Sequence, residues 1–439
     1  MANLHLLRPA RNLTSLRPIQ TDALVRPDAL VRQVWTLIER FDAPDLYKDI
    51  RVIEGEAGRP AIDPKLILAI WIYGTIEGIA SARRLARLCE RDLDFIWLCG
   101  GVPVSHDVLS AFRRTRAAEL EDLMARHIHG LIDAGIVDLD TVLQDGVRVR
   151  ASAGSSSFRR RAKLEQRLDE IKLLLKELRK GVDDDDTPPR PKRQQRSLAE
   201  QQKRIERALE AVAEIEKARA AGGTHKSKAE QEQSRRKVAT GEVRASTTDP
   251  DARRMKMADG GVRPAYSIQL ATSKNGRFCL GVLTLLTGVD AGQFVPMIER
   301  LKSLYNQPVN RIVVDGGFVS KSAIEAAYQI KCSVFAPPQK PTGNRDPYTP
   351  LPKDKPGVAA WRQRMGTDDG KATYALRSTV ELQFARMRNQ GLTRFLVRGK
   401  ERVHFVAVLH AFTQNIVQDY SLARETAALA REAASRKAA

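Results

Sequence analysis

Asp138–Arg150, DLDTVLQDGVRVR, reads as a β-strand, with β-branched residues in alternation and Gly146 directly after Asp145. Asp145 closes the apolar run TVLQDG. An acidic residue that ends a buried strand and precedes glycine projects its carboxylate into open space while letting a ligand approach the backbone. Arg311–Ser320, RIVVDGGFVS, repeats the design, with a short buried-strand pattern running into Asp315-Gly316-Gly317. Either aspartate alone reads first as a turn residue, the commoner use of Asp after a strand. Their meaning depends on what surrounds them.

Working outward, strand signals recur at Tyr266–Thr272 (YSIQLAT) and Phe278–Leu286 (FCLGVLTLL). The intervening SKNGR contains Asn-Gly and favours a hairpin. A helix is predicted over Gln293–Tyr305, another follows Asp315, and KCSVFAP supplies a further strand. The order β-β-β-α-β-α-β with a closing helix describes an α/β protein whose mixed sheet carries flanking helices. A third acidic residue delivered by a late helix fits that order.

Between the first and second strands the character changes. Leu164, Leu168, Ile171, Leu175 and Leu178 repeat at 4-3-4-3 spacing, a heptad seam. After the breaker GVDDDDTPPRP, Leu198, Ile205, Leu209 and Val212 continue at compatible spacing. Two such helices predict an antiparallel coiled-coil hairpin, within an inserted segment at 158–240 that ends in a polar linker at 222–240.

Upstream, residues 21–135 read as helical. Asp63-Pro64 is a capping acceptor with proline at the first helical position, and the helix Pro64–Ile76 is expected to break near Gly74–Gly78. Ser81 caps SARRLARLCE, which turns Arg83, Arg84 and Arg87 outward. After the turn LCGGVPVS, Ser105 caps HDVLSAFRRTR. Short helices, tight turns and basic faces fit a helix-turn-helix-like DNA-binding domain; a small helical bundle with solvated arginines fits equally well. Residues 1–20 read as an N-terminal arm and 421–439 as a flexible basic tail.

The closing helix is Tyr374–Arg388, YALRSTVELQFARMR. At about 100° per residue, Tyr374, Arg377, Glu381 and Arg388 fall on a stripe about 60° wide. Leu376, Val380, Phe384 and Met387 form a separate apolar stripe. An ordinary amphipathic helix with a solvated Glu/Arg face would look the same, so the two strand-ending aspartates decide the reading. Asp249 and Asp251 compete with Asp145 for the first acidic position, but they sit in a polar turn around Pro250. Arg253, Arg254 and Lys256 beside them read as DNA contacts.

The chain has 439 residues and net charge +20, from 73 Lys and Arg against 53 Asp and Glu. Such an excess favours a polyanionic partner, nucleic acid before membrane. There is no apolar run of membrane-spanning length and no cleavable leader pattern, so a cytoplasmic, nucleoid-associated protein is expected. Cys89, Cys99, Cys279 and Cys332 lack metal-site spacing and read as reduced thiols. His127 and His129 would be splayed by about 200° on a helix.

Asp145, Asp315 and Glu381 form a D…D…E set with intervals of 170 and 66 positions. The set resembles the DDE transposases of bacterial insertion sequences, in the branch with a Y-(2)-R-(3)-E-(6)-K signature. Tyr374, Arg377 and Glu381 match; Arg388 stands where lysine is usual. LQDGVRVRASAG, STTDPDARRMKMADGGVRPAYSIQLAT, VVDGGF and the helical IDPKLILAIWIYG…SARRLARLCERD…FRR extend the likeness over residues 20–420. The resemblance implies an RNase H-like catalytic domain at 136–420 and a two-metal site for Mg²⁺ or Mn²⁺ ligated by Asp145, Asp315 and Glu381. It also implies double-stranded DNA as partner, with Arg377 and Arg388 on phosphates, Tyr374 at the element's end, and a homodimer in the synaptic complex. The implied activity is strand cleavage and strand transfer at inverted-repeat ends. A noncatalytic DNA-binding derivative, or a metal-dependent nuclease without strand transfer, are the alternatives.

Overall fold

The computed structural model describes residues 20–51, 60–180, 190–220, 239–339 and 345–438, with the single positions 232 and 236. Residues 1–19 of the expected arm, 181–189 of the acidic loop and most of the linker lie outside the described residues. The protein is mixed α/β, with a helical N-terminal region and a curled mixed sheet.

Strand β1 (Thr141–Arg150) is followed by β2 (Phe158–Arg160), β3 (Arg244–Ser246), β4 (Arg253–Lys256), β5 (Val262–Ser273), β6 (Cys279–Leu285), β7 (Arg311–Val313) and β8 (Ser333–Phe335). One edge of β5 pairs antiparallel with β1 from Ala265 to Ser273. Its other edge holds β4 and then β6, both antiparallel. On the far side of β1, β7 and then β8 run parallel to it. The β5–β6 hairpin turns at Gly276, as Asn-Gly predicted.

The N-terminal helices are α1 (Leu30–Arg40), α2 (Pro64–Ile76), α3 (Ala82–Leu88), α4 (Leu93–Cys99), α5 (His106–Thr115) and α6 (Ala117–Asp133). Asp63 caps α2 by accepting the Lys65 N–H at 2.8 Å. This helix is buried from Leu66 to Thr75, all round; a helix that is apolar on every side belongs in a core, not on a surface. The helix ends at Ile76, inside the expected break at Gly74–Gly78, with Gly78 in the left-handed region. Gly74 stays helical, and a Cβ there would collide with Leu85 of α3, so the glycine sets a close helix–helix approach. Just before the turn that leads to Ser105, residues the sequence reading leaves unassigned form α4, capped by Asp92 and closed by Gly100 in the left-handed region.

Helices α7 (Arg161–Lys180) and α8 (Arg190–Ala220) pack on each other through Leu164, Ile171 and Leu175 against Ile205, Ala208 and Val212. Arg161 bonds Glu216, and Gln195 bonds the Leu178 carbonyl, so the pair is antiparallel. The β2–β3 ribbon, with Phe158 opposite Ser246, brings entry and exit together.

The remaining helices are α9 (Phe294–Tyr305), α10 (Lys321–Gln329), α11 (Pro356–Gly366), α12 (Asp368–Ala375), α13 (Ser378–Asn389) and α14 (Lys400–Ala438). One core joins Val142, Leu143, Ile312 and Val313 to α9 and to Trp361 of α11. The other joins α2, Val149, Ile268 and Leu270 to Phe384, Phe405 and Phe412. The N-terminal helices and the sheet therefore share a core through α14. Each large side chain buried there stabilises the fold by roughly 1.5–3 kcal/mol. Residues 421–438, read as a tail, continue α14 as helix. His127 packs by Phe41 and Phe412 and His129 by Tyr305, on different sides of α6.

Candidate active site

β1 pairs with β7 only from Thr141 to Leu143. Beyond Leu143 that edge of β1 opens, and the two parallel strands part at their carboxyl ends. Open α/β sheets form ligand crevices at such a place. Asp145, midway along β1, is the first residue past its fully buried run. It does not end the strand; it stands where the neighbouring strand stops. Asp315 follows β7 by two positions and caps the short turn Gly316–Phe318. The two Asp-Gly pairs are built alike, each aspartate Oδ1 accepting the next residue's N–H at 2.7 Å.

Helix α13 delivers Glu381. Val380, Phe384 and Met387 are buried, and buried Gln383 donates to the carbonyls of Gly276 and Arg277 at 2.6 and 2.8 Å. The helix is thus bolted to the β5–β6 turn by an apolar stripe and one amide. Arg377, at its N-cap, reaches Asp145 at 3.4 Å and Glu381 at 2.8 Å. Exposure grades across the group: the Asp145 side chain is 20% exposed, Arg377 24% and Glu381 58%.

The electrostatics follow from this packing. Burial pushes the Asp145 carboxyl above its ordinary value; the Gly146 N–H and Arg377 oppose this, and Asp315 and Glu381 add to it. Burial alone would lower the Arg377 guanidinium, but Asp315, Asp145, Tyr374 and Glu381 together raise it. Three carboxylates around one cation leave an excess of negative charge in a partly dry cleft, a setting that attracts cations.

Tyr374 does not share a helix with Glu381, as the sequence predicted. It lies on α12, and a turn at Leu376–Arg377 separates the helices, with the Arg377 N–H donating to the Tyr374 carbonyl at 3.0 Å. Its phenol still reaches the site: burial raises its pKa, and Arg377, Asp315 and Asp145 all act on it. Arg388 is exposed in the last turn of α13, roughly 10 Å along the helix from Glu381, and is not drawn into the cluster. That end of α13 abuts the loop before α3, where Gly391 packs on Gly78. Arg83, Arg84 and Arg87 are exposed on α3, and Arg83 and Arg87 line a hollow of about 540 Å³ with Ser105 and His106.

Asp249 is not in a solvated turn. It is fully buried, and its Oδ1 accepts from Tyr266 at 2.7 Å and from the Gly399 N–H at 3.0 Å. Asp251 pairs with Arg207 at 3.0 Å and caps α14 through the Lys400 N–H. Arg253 is tied to Glu214 at 3.3 Å. Asp249 and Asp251 therefore organise the base of α14, away from Asp145.

A polar layer beneath β1 was not anticipated. Gln269, opposite Gly146 on β5, occupies the space a Cβ at Gly146 would need. It accepts from Gln144 at 3.3 Å and donates to Asp290 at 2.9 Å, and Asp290 pairs with Arg148 at 3.0 Å. Glutamines amid otherwise apolar strands (VLQDG, SIQLA) are its sequence signal. Asp290, whose carboxyl is raised by burial and further by Asp315, sits in a loop and gives none.

Among the described residues, no three Asp, Glu, His or Cys side chains converge closely enough to form a ready-made metal shell. Arg377 bridges the gap between Asp145 and Glu381. The donor set nonetheless fits a hard divalent cation, being all carboxylate oxygen.

A mixed α/β protein with a cleft of carboxylates at parting parallel strands, and a basic helical region beside it, defines a class. Two family models match parts of the chain: a transposase domain (DUF772) matches residues 19–115, and a transposase DDE domain matches residues 353–418. The two matches support an insertion-sequence DDE transposase. No curated protein and no solved structure compared with the chain matches it. No helix among the described residues is long and apolar enough to cross a membrane.

Proposed function

We propose that the protein is a DNA transposase that cleaves strands at the inverted-repeat ends of an insertion sequence and joins them to target DNA. The observation that carries this reading is the gathering of Asp145, Asp315 and Glu381 around Arg377 at the mouth of parallel β1 and β7. The sheet order β6–β5–β1–β7–β8, three antiparallel strands and then two parallel to β1, supports an RNase H-like catalytic domain at 136–420.

Asp145, Asp315 and Glu381 would hold two divalent ions, Mg²⁺ or Mn²⁺, which when bound polarise a phosphoryl oxygen and neutralise charge on the reacting phosphate. The chain's own residues do the rest. Arg377, paired with Asp145 at 3.4 Å and Glu381 at 2.8 Å, would be free to hold a DNA phosphate if those carboxylates held the ions. Tyr374 borders the cleft and contacts the element's end. The Gln269–Asp290–Arg148 layer, anchored on buried Gln269, holds β1 rigid under the reacting group. A water attacks the phosphodiester in cleavage and a DNA 3′-hydroxyl in joining, with the strand's 3′-oxygen leaving in each. Arg388 continues the cationic side of α13 toward the exposed arginines of α3, so one duplex can touch both. A homodimer would pair the two ends, and the partner is double-stranded DNA in the nucleoid.

The test is cleavage and joining of element ends by the parent and by Asp145→Ala, Asp315→Ala and Glu381→Ala. Each substitution is expected to abolish both reactions; full activity in any one removes that residue from the triad. Cleavage without joining by the parent would leave a nuclease.

A further inference from the structure

Two adjoining hollows of about 770 and 470 Å³ lie between α8, the 247–251 loop and the start of α14. They share Arg204, Thr248 and Arg398. The smaller is lined by Arg159, Arg167, Arg204 and Arg398 with threonine and glutamine and with no acidic side chain. Lys203 and Arg402 extend the same charge into the larger. Among the described residues, none of these six cations pairs with a carboxylate.

The contrast with the neighbouring turn of α8 is the key. Arg207 is neutralised by Asp251, Glu210 and Glu214. Of the acidic groups lining the larger hollow, Asp251 is committed to Arg207 and the Lys400 N–H and Asp249 to Tyr266 and the Gly399 N–H, while Glu200 and Glu401 are exposed. The end of α14 is therefore not the anion site; the side chains are. In the smaller hollow, guanidiniums held together from α7, α8, β2 and the loop before α14, with no acidic side chain in the lining, call for a polyanion.

The location defines which part of it. Arg398 donates to the Ser152 carbonyl at 3.2 Å, seven residues beyond Asp145. At about 3.3 Å per residue the hollow lies roughly 20 Å from Asp145, the length of about six nucleotides at 3.4 Å each.

We propose that this hollow is a phosphate-backbone cradle, contributed jointly by the inserted helix pair and the protein body, which grips duplex DNA about six base pairs from the reacting bond. This rests on the transposase reading and gives the helix pair a defined task within it.

The experiment measures binding of the full chain to a labelled random-sequence duplex of about 30 base pairs by fluorescence anisotropy, from about 50 to 200 mM salt. Arg167→Ala/Arg204→Ala should weaken binding about tenfold or more for any sequence and reduce the log–log salt slope by about two, one per lost phosphate contact. Arg159→Ala/Arg398→Ala, from different elements, should do the same, and Arg167→Lys/Arg204→Lys should restore most of the slope. Lys302→Ala, on α9, should change nothing. Hydroxyl-radical protection about six base pairs from the cleaved end should vanish in both alanine pairs. An unchanged slope in folded double variants overturns the cradle while leaving the transposase reading intact. A parent chain that binds no duplex overturns both, and a loss confined to RNA duplexes overturns the assignment to DNA.

Discussion

At Asp145, stability and function pull in opposite directions. Burial is the largest influence on its carboxyl and raises the pKa in the folded state. A raised folded-state pKa means that this group's stabilising contribution is present below the unfolded value and lost as pH rises through the folded value. Asp145→Asn is therefore expected to raise Tm at neutral pH, with the gain shrinking as the solution is acidified, while cleavage is lost. A lower Tm for this variant in calorimetry at pH 7 would show that the Arg377 pair outweighs burial. Gly146 makes a second residue-scale case. A Cβ there would run into Gln269, so Gly146→Ala should cost about 1–3 kcal/mol in denaturant unfolding. Adding Gln269→Ser should recover part of that loss.

Helix α13 shows how an element is legible in part. Its apolar stripe, Val380, Phe384 and Met387, was plain from 3.6-residue spacing and is buried. The break at Leu376–Arg377 was not, because no proline or glycine marks it; tertiary packing of α12 against α11 and β8 sets it. Gln383 is the hydrogen-bonding bolt to the β5–β6 turn. Gln383→Ala leaves two buried carbonyls without donors and should cost about 1–3 kcal/mol. It should also cut cleavage more than a similarly destabilising change far from α13, a difference measurable at a temperature where both variants are folded. Asn415 serves β6 in the same way, bonding the Cys279 N–H and carbonyl at 2.7 and 2.8 Å, and it too carried no local signal.

For the whole molecule, the shared core matters most. Since α2 and α5 are covered by α14, a fragment of residues 20–135 should expose a broad apolar surface and show no cooperative melt. The helix pair α7–α8 has its own small core with Val243 and Ala245. Replacing residues 161–243 by a short linker should leave the remaining body with a single thermal transition within a few degrees of the parent, and duplex binding weakened. A collapse of that transition would show that the pair is part of the main folding unit.

Local chemistry wrote much of this protein into its sequence: strand periodicity, the two Asp-Gly ends, the Asp63-Pro64 and Ser105 caps, the heptad seam, and a surplus of cations. Those depend on residues a few positions apart, so a linear reading reaches them. Only the tertiary structure decided that α2 is wholly buried, that Asp249 caps a fold-joining helix, and that Arg377 bridges two carboxylates. It also decided that Gln269 and Asp290 underlie β1, and that unpaired arginines from four elements meet in one hollow. Each of these is a contact between segments tens to hundreds of residues apart, where burial and charge depend on what arrives from elsewhere in the chain.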